Sequence, residues 1–405
     1  VKNNDQLIGW LDGQMHQNRL HLINPDGSHE VLGRCGRVVD WRLKKKGVLQ
    51  KILRNPQMNL GETYIRGDWD VDGHQALYEL LYALRQNFEP NLHQPLAKLA
   101  LRAVQASLRS RNSLHVSKRN VAHHYNLDEP LFRAMLGEDM HYSCAYFQST
   151  YDTLEDAQGY KCEHIARKLR LRPGQHVLDI GSGWGSLAIF LARNCGVRVT
   201  GITLSEEQER VASERAAEAG LSDQVQFCLQ DYREHHEQYD RIVSVGMFEH
   251  VGRKHYDSFF ESVLQNLTSD GVALLHTIGT LNAPGQVNPW IQKYIFPGGH
   301  IPALSEVAQA IEHAGVTVHD VEILHQHYAW TLREWADRFA FNREKFAEAK
   351  GERFCRVWEF YLAVCRTAFE IGGLAVQQWQ LSKGGDGVPA TRGYLYGKRG
   401  NLTVD

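Results

Sequence analysis

From about Gly174 onward, short apolar runs alternate with stretches whose apolar positions recur every three or four residues. Residues 176–180, 197–202, 225–229, 241–245 and 271–276 are runs of strand length, the pattern of strands buried on both sides. Between them, 186–194, the strongly charged 205–219 and 256–267 have helical spacing. This alternation predicts an α/β fold: a parallel sheet with helices on both faces. In such sheets ligands lie beyond the carboxyl ends of the strands, where the strand order reverses.

The N-terminal third is patterned differently. Residues 6–40 alternate short apolar runs with the turn signals Asp12-Gly13 and Asn24-Pro25-Asp26-Gly27, and predict small strands. Residues 76–84 predict an amphipathic helix, so this region reads as a small mixed α/β domain. Residues 332–380 are expected to be mostly helical and, being rich in Trp and Phe, to cover the strand ends. At 405 residues the chain exceeds what one core usually organises. Two domains are expected, 1–112 and 113–405.

Composition narrows the class. A mean hydropathy of -0.42 and the lack of an apolar run near membrane-spanning length exclude a spanning helix. No charged-then-apolar signal pattern opens the chain. Cys35, Cys144, Cys162, Cys195, Cys228, Cys355 and Cys365 are widely spaced without a CxxC pair, which argues against disulfides and zinc and for a reducing cytoplasm. The pairs His123-His124, His235-His236 and His325-Gln326-His327 lack flanking ligands, so no metal is expected.

The net charge of -2 conceals a split: residues 1–125 carry 18 Lys and Arg against 11 Asp and Glu, the remainder 27 against 36. Arg42, Lys44, Lys45, Lys46, Lys51 and Arg54 fall between Asp40 and Glu62 with no acid among them. Lys98, Arg102, Arg109, Arg111, Lys118 and Arg119 do the same between Glu89 and Asp128. Leu43, Val48, Leu49, Ile52 and Leu53 interleave the first stretch at roughly helical spacing. Such a segment reads either as a surface for anionic lipid or as a solvated helix face. At roughly 1 kcal/mol per basic residue near an anionic surface, before screening, the two stretches support reversible docking and no more. Nucleic acid is not the expected partner, because the remainder is acidic and no aromatic-plus-basic stacking motif accompanies the charge.

Directly after the first strand, Val177-Leu178-Asp179-Ile180-Gly181-Ser182-Gly183-Trp184-Gly185 sets glycines at alternate positions, where a side chain would block a ligand lying against the backbone. The spacing differs from the G-x-G-x-x-G of dinucleotide binders. The second strand ends in Thr203-Leu204-Ser205 and not in an acid that would hold a nicotinamide ribose. No Lys-Ser/Thr pair marks a phosphate loop. An adenosyl ligand without a pyrophosphate is favoured, and S-adenosylmethionine is the common cosubstrate of that kind in this fold. Asp179 belongs to the same constellation. Ser205-Glu206-Glu207-Gln208 is also a capping box, in which Gln208 would only satisfy a helix N-terminus.

Seven further segments complete a family pattern: Leu60-Gly61-Glu62-Thr63-Tyr64, Tyr142-Ser143-Cys144-Ala145-Tyr146-Phe147, Gly201-Ile202-Thr203-Leu204-Ser205, Gln230-Asp231-Tyr232-Arg233, Val245-Gly246-Met247-Phe248-Glu249-His250-Val251-Gly252, Leu275-His276-Thr277-Ile278-Gly279 and Tyr294-Ile295-Phe296-Pro297-Gly298-Gly299. With the glycine turn, and in order from about 39 to 380, they closely resemble the bacterial cyclopropane-fatty-acyl-phospholipid synthases, relatives of the mycolic acid cyclopropane synthases. The resemblance implies a Rossmann-like class I S-adenosylmethionine-dependent methyltransferase sheet with a smaller N-terminal α/β lipid-binding domain. It implies that Tyr142 and Ser143 contact the methionine part of the cosubstrate and that Gly181, Gly183 and Gly185 line it. Thr203 and Gln208 would hold the ribose, and Tyr232 with Arg233 would flank the adenine.

The resemblance also implies a reaction. The sulfonium methyl adds to a cis double bond of an unsaturated phospholipid acyl chain, and loss of a proton from the new methyl closes a cyclopropane ring. The implied base is a bicarbonate ion, held by side chains at Cys144, Glu249, His276 and Tyr328 and by backbone at Ile278. Glu249 and His276 also stand on the pattern alone, since each follows or ends a predicted strand and faces the expected crevice. There Glu249 would fix His276 or the anion's proton, and a His with a carboxylate neighbour is suited to proton handling. Without the resemblance, a lone Glu after a strand is usually solvated and a His at a strand end is more often a hydrogen-bonded core residue, and Cys144 reads as an ordinary buried thiol. Cys365 matches a cysteine long labelled catalytic in the family. Yet Trp358, Tyr361, Leu362, Cys365 and Phe369 share one helical face, as core residues do. The aromatics Tyr142, Tyr146, Phe147, Trp184, Phe248, Trp290, Tyr294 and Phe296 would stabilise a cation and exclude water, or are plain core.

The chain departs from the family in three places: His124-Tyr125-Asn126-Leu127-Asp128-Glu129 replaces His-Tyr-Asp with Gly-Asn, Ser182 replaces a Cys, and Phe369-Glu370 replaces Phe-Arg. These bear on lipid entry more than on methyl transfer. The expectation is a peripheral enzyme at the inner face of the membrane, acting on unsaturated phospholipids. Its rivals are a relative that makes methyl- or methylene-branched chains or methylates an amine, and a lipid-binding module on an inactive methyltransferase fold. Headgroup, double-bond position and oligomeric state, a homodimer included, stay open.

Overall fold

The computed structural model describes residues 4–73, 75–88, 129–384 and 387–396. They form two compact units. One gathers the described residues of Val1–Leu101, Asn288–Pro297 and Leu332–Gly373, and the other those of Arg102–Val287, Gly298–Thr331 and Leu374–Asp405. The chain therefore passes between units at several points, where the sequence suggested one boundary between 112 and 113.

The first unit holds together because the late helix Glu352–Ile371 shares a core with early ones. Phe360 lies 6.0 Å from Tyr64 and 4.6 Å from Trp290, ring centre to ring centre. Arg356 sits 4.1 Å over the Tyr64 ring and donates to the Tyr64 carbonyl at 2.7 Å. Gly61, in the helix Pro56–Ile65, permits this approach: a Cβ there would collide with Trp290 and Phe360. Strands β1 (Arg19–Ile23), β2 (His29–Leu32), β3 (Val38–Leu43) and β4 (Trp69–Asp70) pair in the order β2-β1-β3-β4. The Asn24–Gly27 turn joins β1 to β2, closed by the Gly27 amide on the Asn24 carbonyl at 3.0 Å. Asn4–Gln14, expected as strand, is a helix: Leu7 and Leu11 are buried one helical turn apart, a spacing that the short apolar runs concealed.

The fold sets acids opposite the first basic stretch. Arg42 pairs with Asp72, Lys44 with Asp70 at 2.8 Å, and Lys45 with Asp68 at 2.7 Å. Lys46, Lys51 and Arg54 are exposed and make no ion pair among the described residues. The second basic stretch, with the departure at 124–128, lies outside the described residues.

The second unit contains β5 (His176–Ile180), β6 (Arg198–Thr203), β7 (Val225–Leu229), β8 (Tyr239–Val245), β9 (Leu267–Thr280), β10 (Thr317–Leu324) and β11 (Leu374–Ser382), in the order β10-β11-β9-β8-β5-β6-β7. The five strands expected from the sequence are present and parallel, and β11 runs antiparallel between β9 and β10. Alternate residues enter two cores. Val177, Val199 and Val243 meet the helices Leu154–Leu169 and Ser186–Cys195 on one face, and Leu178, Ile202 and Ile242 meet Tyr256–Asn266 and Leu304–Ala314 on the other. Burial on both sides is why these strands read as continuous apolar runs. The segment 332–380 is mostly helical, as expected, up to Ile371, and ends in strand β11. Three buried amides, Gln377, Gln378 and Gln380, interrupt the apolar pattern there. No described helix is long and apolar enough to cross a membrane.

Candidate active site

Strand order reverses beside β5, and the glycine turn leaves its carboxyl end there. Gly181 and Gly185 are left-handed, at φ +83° and +81°. A Cβ on Gly181 would stand 2.7 Å from that of Met247 after β8, so the turn and the β8 loop need that glycine to lie together. Gly183, at φ +55°, faces open space, which leaves its backbone open to a ligand. The Gly181 and Ser182 amides both donate to the Ile202 carbonyl, at 2.9 and 3.1 Å, tying the turn to β6. Arg215 fixes its far side by donating to the Trp184 carbonyl at 2.6 Å and to Ser186 Oγ at 2.9 Å. Asp179 is buried beneath the turn, and desolvation pushes its carboxyl up to about 7 against the opposing charge of Lys161.

At the end of β6, Thr203 Oγ1 donates to Gln208 Oε1 at 2.9 Å. The Gln208 amide caps its helix on Ser205 Oγ, but its side chain does not close the box; it turns to Thr203. One residue thus serves backbone capping while its carboxamide lies at the strand end. Past β7, Arg233 grips buried Asp231 through two bonds of 2.8 and 2.7 Å, and its guanidinium lies 5.6 Å from the Tyr232 ring centre. Tyr232 packs edge-on against Phe259.

Past β8, Glu249 is buried. Its Oε1 accepts the Ile278 amide proton at 2.5 Å, and Oε2 is buried with no hydrogen-bond partner within bonding geometry among the described residues, although the Thr277 hydroxyl and the Glu249 backbone amide lie close enough to favour the anion. Desolvation, the dominant cause, pushes its carboxyl up to about 7, against the Ile278 amide that favours the anion. His276, on β9, is buried and its imidazole is driven down to about 3 by desolvation and by the charges of Lys161 and Lys168, so the ring is neutral. The expected Glu249–His276 bond is absent among the described residues. The partner of His276 Nδ1 is Gln378 Nε2 at 3.1 Å, because His276 and Gln378 face each other across the β9–β11 ladder. With the amide donating to Nδ1, the imidazole proton sits on Nε2.

The segment 142–147 lies beside these strand ends. Ser143 approaches Gly246 at the end of β8, where a Cβ would stand 4.0 Å from that of Ser143. Tyr142 packs on Phe132, which packs on Trp184 of the turn. Cys144 is buried, its thiol donates to the Ala145 carbonyl at 3.3 Å, and burial pushes its pKa up, so it is a neutral thiol. The Ala145 amide donates to Thr331 Oγ1 at 3.1 Å and the Phe147 amide to His327 Nδ1 at 3.0 Å, so the start of the helix His327–Phe341 is bound to this segment. Buried Tyr328 is its second residue. Cys365 belongs to the other unit, on the helix Glu352–Ile371, with its thiol pushed up to about 12 by burial. Trp290, Tyr294 and Phe296 are also in that unit, and Phe248 stacks on Tyr256 in the sheet core.

Sequence reasoning missed Gln158, Lys161, Asp231, Arg215 and Gln378. A lysine on a charged helix reads as solvated, yet Lys161 is 1% exposed and donates to Ser143 Oγ at 3.0 Å and Gln158 Oε1 at 2.6 Å. The one available signal was spacing: Leu154, Ala157, Lys161, Ile165 and Lys168 lie on one face, so a lysine stands where the pattern calls for an apolar residue.

The family described as mycolic acid cyclopropane synthetase matches residues 112–379. The chain is 39% identical over 364 residues to a cyclopropane-fatty-acyl-phospholipid synthase of Escherichia coli, covering 88% of this chain and 93% of that protein. It is 35% identical over 353 residues to the tuberculostearic acid methyltransferase UfaA1 of Mycobacterium tuberculosis, covering 83% and 81%. Among solved structures, the mycolic acid cyclopropane synthase CmaA1 in complex with SAH and CTAB aligns with a TM-score of 0.62 and 34% identity, over 65% of this chain and 97% of that one. The seven-stranded sheet is thus the Rossmann-like sheet of S-adenosylmethionine-dependent methyltransferases.

Proposed function

Because this chain belongs to the mycolic acid cyclopropane synthetase family of S-adenosylmethionine-dependent methyltransferases, we propose that it adds a methylene unit to the cis double bond of unsaturated phospholipid acyl chains. The observation that carries the reading is the buried Glu249 carboxylate, with one oxygen committed to Ile278 and the other without a hydrogen-bond partner among the described residues, set beside the strand ends and a neutral His276. Methyl transfer to a hydroxyl or amine releases a proton from oxygen or nitrogen, which water or an ordinary base readily takes. Cyclopropanation also needs a place for a proton stripped from carbon in a site that excludes water.

S-adenosylmethionine, when bound, supplies an electrophilic methyl on a sulfonium. The residues fit it: the backbone at Gly183 is open to a ligand, Thr203 and Gln208 present a hydroxyl and a carboxamide suited to a ribose, and Tyr232 with Arg233 provides a flat flank for adenine. The alkene's π electrons would form the new bond to that methyl as its bond to sulfur breaks, the bonding pair staying on sulfur as a neutral thioether, and would leave positive charge on the neighbouring carbon. The electron pair of one methyl C–H bond then closes the ring, and the released proton passes toward the Glu249–His276 corner. Its carboxyl, poised near neutrality, holds or releases that proton. A bicarbonate ion would be held there by Cys144, Glu249, His276, Tyr328 and the Ile278 backbone, and would supply a small base of suitable strength. Lys46, Lys51 and Arg54 support docking on an anionic membrane surface, at the cytoplasmic face where such lipid is reached.

Branched products form the second reading, prompted by the 35% identical tuberculostearic acid methyltransferase. A saturated methyl branch would need a reductant as well. One experiment separates them: the protein is incubated with methyl-labelled S-adenosylmethionine and vesicles of unsaturated phospholipid, and the fatty acids are read by mass spectrometry and proton NMR. A labelled cyclopropane is expected. A labelled branched chain would establish the second reading, and unlabelled lipid would refute both.

A further inference from the structure

We propose that Lys161 is a positioning residue which, with Gln158, turns the Ser143 hydroxyl into a hydrogen-bond donor for the carboxylate of the cofactor's methionine part. The inference rests on the cofactor reading above and deepens it. Lys161 Nζ lies 3.0 Å from Ser143 Oγ and 2.6 Å from Gln158 Oε1, and Gln158 Nε2 donates to the Ser143 carbonyl at 3.1 Å. All three residues are buried, and no ion pair reaches the lysine among the described residues.

The direction of each bond follows from which groups can only give or only take. A carbonyl only accepts, so the Gln158 amide nitrogen must face Ser143 O, and its oxygen then faces Lys161. An ammonium only donates, so it occupies a lone pair on Ser143 Oγ. The serine proton is left to point elsewhere. Ser143 approaches Gly246 at the end of β8, in the crevice that the glycine turn opens. The network therefore presents an O–H there, backed by a buried positive charge, and what matches it is an anionic acceptor. Of the parts of S-adenosylmethionine, only the carboxylate qualifies. Burial weakens the hold of Lys161 on its proton, while Asp139 and Asp179 strengthen it; a bound carboxylate acts in the same direction.

The lysine's part is separable from general support of the fold. S-adenosylhomocysteine and its decarboxylated amine analogue are titrated calorimetrically into the unaltered protein and into Ser143→Ala, Lys161→Met and the double variant. The unaltered protein should bind S-adenosylhomocysteine about tenfold or more tightly over the analogue, as for one hydrogen bond to a charged group. Each single variant should lose that preference while keeping its affinity for the analogue, and the double variant should lose no more than either single one. Equal losses on both ligands, additive losses, or a preference that survives in Ser143→Ala would overturn the proposal. Ser143→Ala tests the serine's contact with the carboxylate even if Lys161→Met does not fold, and Lys161→Gln, which keeps a polar group in the buried position but removes the charge, then tests the lysine: it too should lose the preference, and a preference kept in Lys161→Gln would overturn the proposal. If the unaltered protein bound neither ligand, the cofactor reading would fall, and this inference with it.

Discussion

Glu249 and Ile278 are joined side chain to backbone: the carboxylate takes the amide proton of the residue two places beyond His276. The bond fixes the carboxyl group against β9 through one oxygen and leaves the other outside that bond. A carboxyl held this way cannot swing toward solvent, so its environment and not its intrinsic acidity decides when it carries a proton.

Replacing Glu249 by Gln keeps the shape and removes the proton acceptor. Turnover should fall by roughly a hundredfold to a thousandfold, with affinity for S-adenosylhomocysteine nearly unchanged. Single-turnover assays and calorimetry together read this, and full turnover in the variant would reject the role.

The same group leaves a mark on stability. Its folded pKa of about 7 lies above the ordinary 4.5, so the folded state prefers the protonated carboxyl. That contribution is complete below about pH 4.5 and is lost as pH rises through about 7. Asp179 acts in the same sense, while His276, lowered to about 3, contributes above its ordinary 6.5 and loses that as pH falls. In the difference between the unaltered protein and Glu249→Gln the last two cancel. The melting temperature of the variant should therefore gain on that of the unaltered protein between about pH 5 and about pH 8; a difference flat with pH would contradict the assignment.

Two glycines of one turn should respond differently. Gly183→Ala puts a methyl into open space and should cost roughly 1 kcal/mol of backbone strain but weaken S-adenosylhomocysteine binding at least about tenfold. Gly181→Ala collides with Met247 and should lose both stability and binding. Equal behaviour of the pair in thermal melts and titrations would dissociate the turn from the ligand.

Cys365→Ala tests the family's labelled cysteine. It lies in the unit that holds neither Glu249 nor His276, its thiol is protonated near neutrality, and turnover within about threefold of the unaltered protein is expected. A loss beyond a hundredfold in a normally melting variant would restore a chemical role.

For the surface, charge reversal at Lys46, Lys51 and Arg54 should shift the protein out of the pellet when it is sedimented with anionic vesicles, by roughly fivefold per residue, and leave neutral vesicles unaffected. Unchanged co-sedimentation would remove these residues from the docking face.

How much of this was legible in the sequence depended on the range of the forces involved. The strands β5 to β9 were readable because burial on both faces writes itself locally as an apolar run, and the glycine turn because conformation and close approach both demand Gly. Lys45 and Asp68 were individually visible, but their pairing crosses 23 positions, so a stretch that reads as bare positive charge is in fact half answered. β11 was hidden because two of its buried glutamines find distant partners, Gln378 on His276 and Gln380 on the Lys168 carbonyl. Lys161 was hidden for the same reason: a polar atom buried with its partners looks, in one dimension, like a polar atom in water.

The placing of β11 has a consequence for synthesis. It is the last strand among the described residues, yet it separates β9 from β10 and brings Gln378 to His276 across 102 positions. Until it leaves the ribosome, β10 has no neighbour and β9 presents an unpaired edge, a template for another nascent chain. A chain cut before Leu374 would keep Glu249, His276 and the glycine turn, and still lack the donor that sets the imidazole proton. The hydrogen bond that sets the His276 tautomer therefore forms only after β11 has been made, later than the strands that carry Glu249 and His276 themselves.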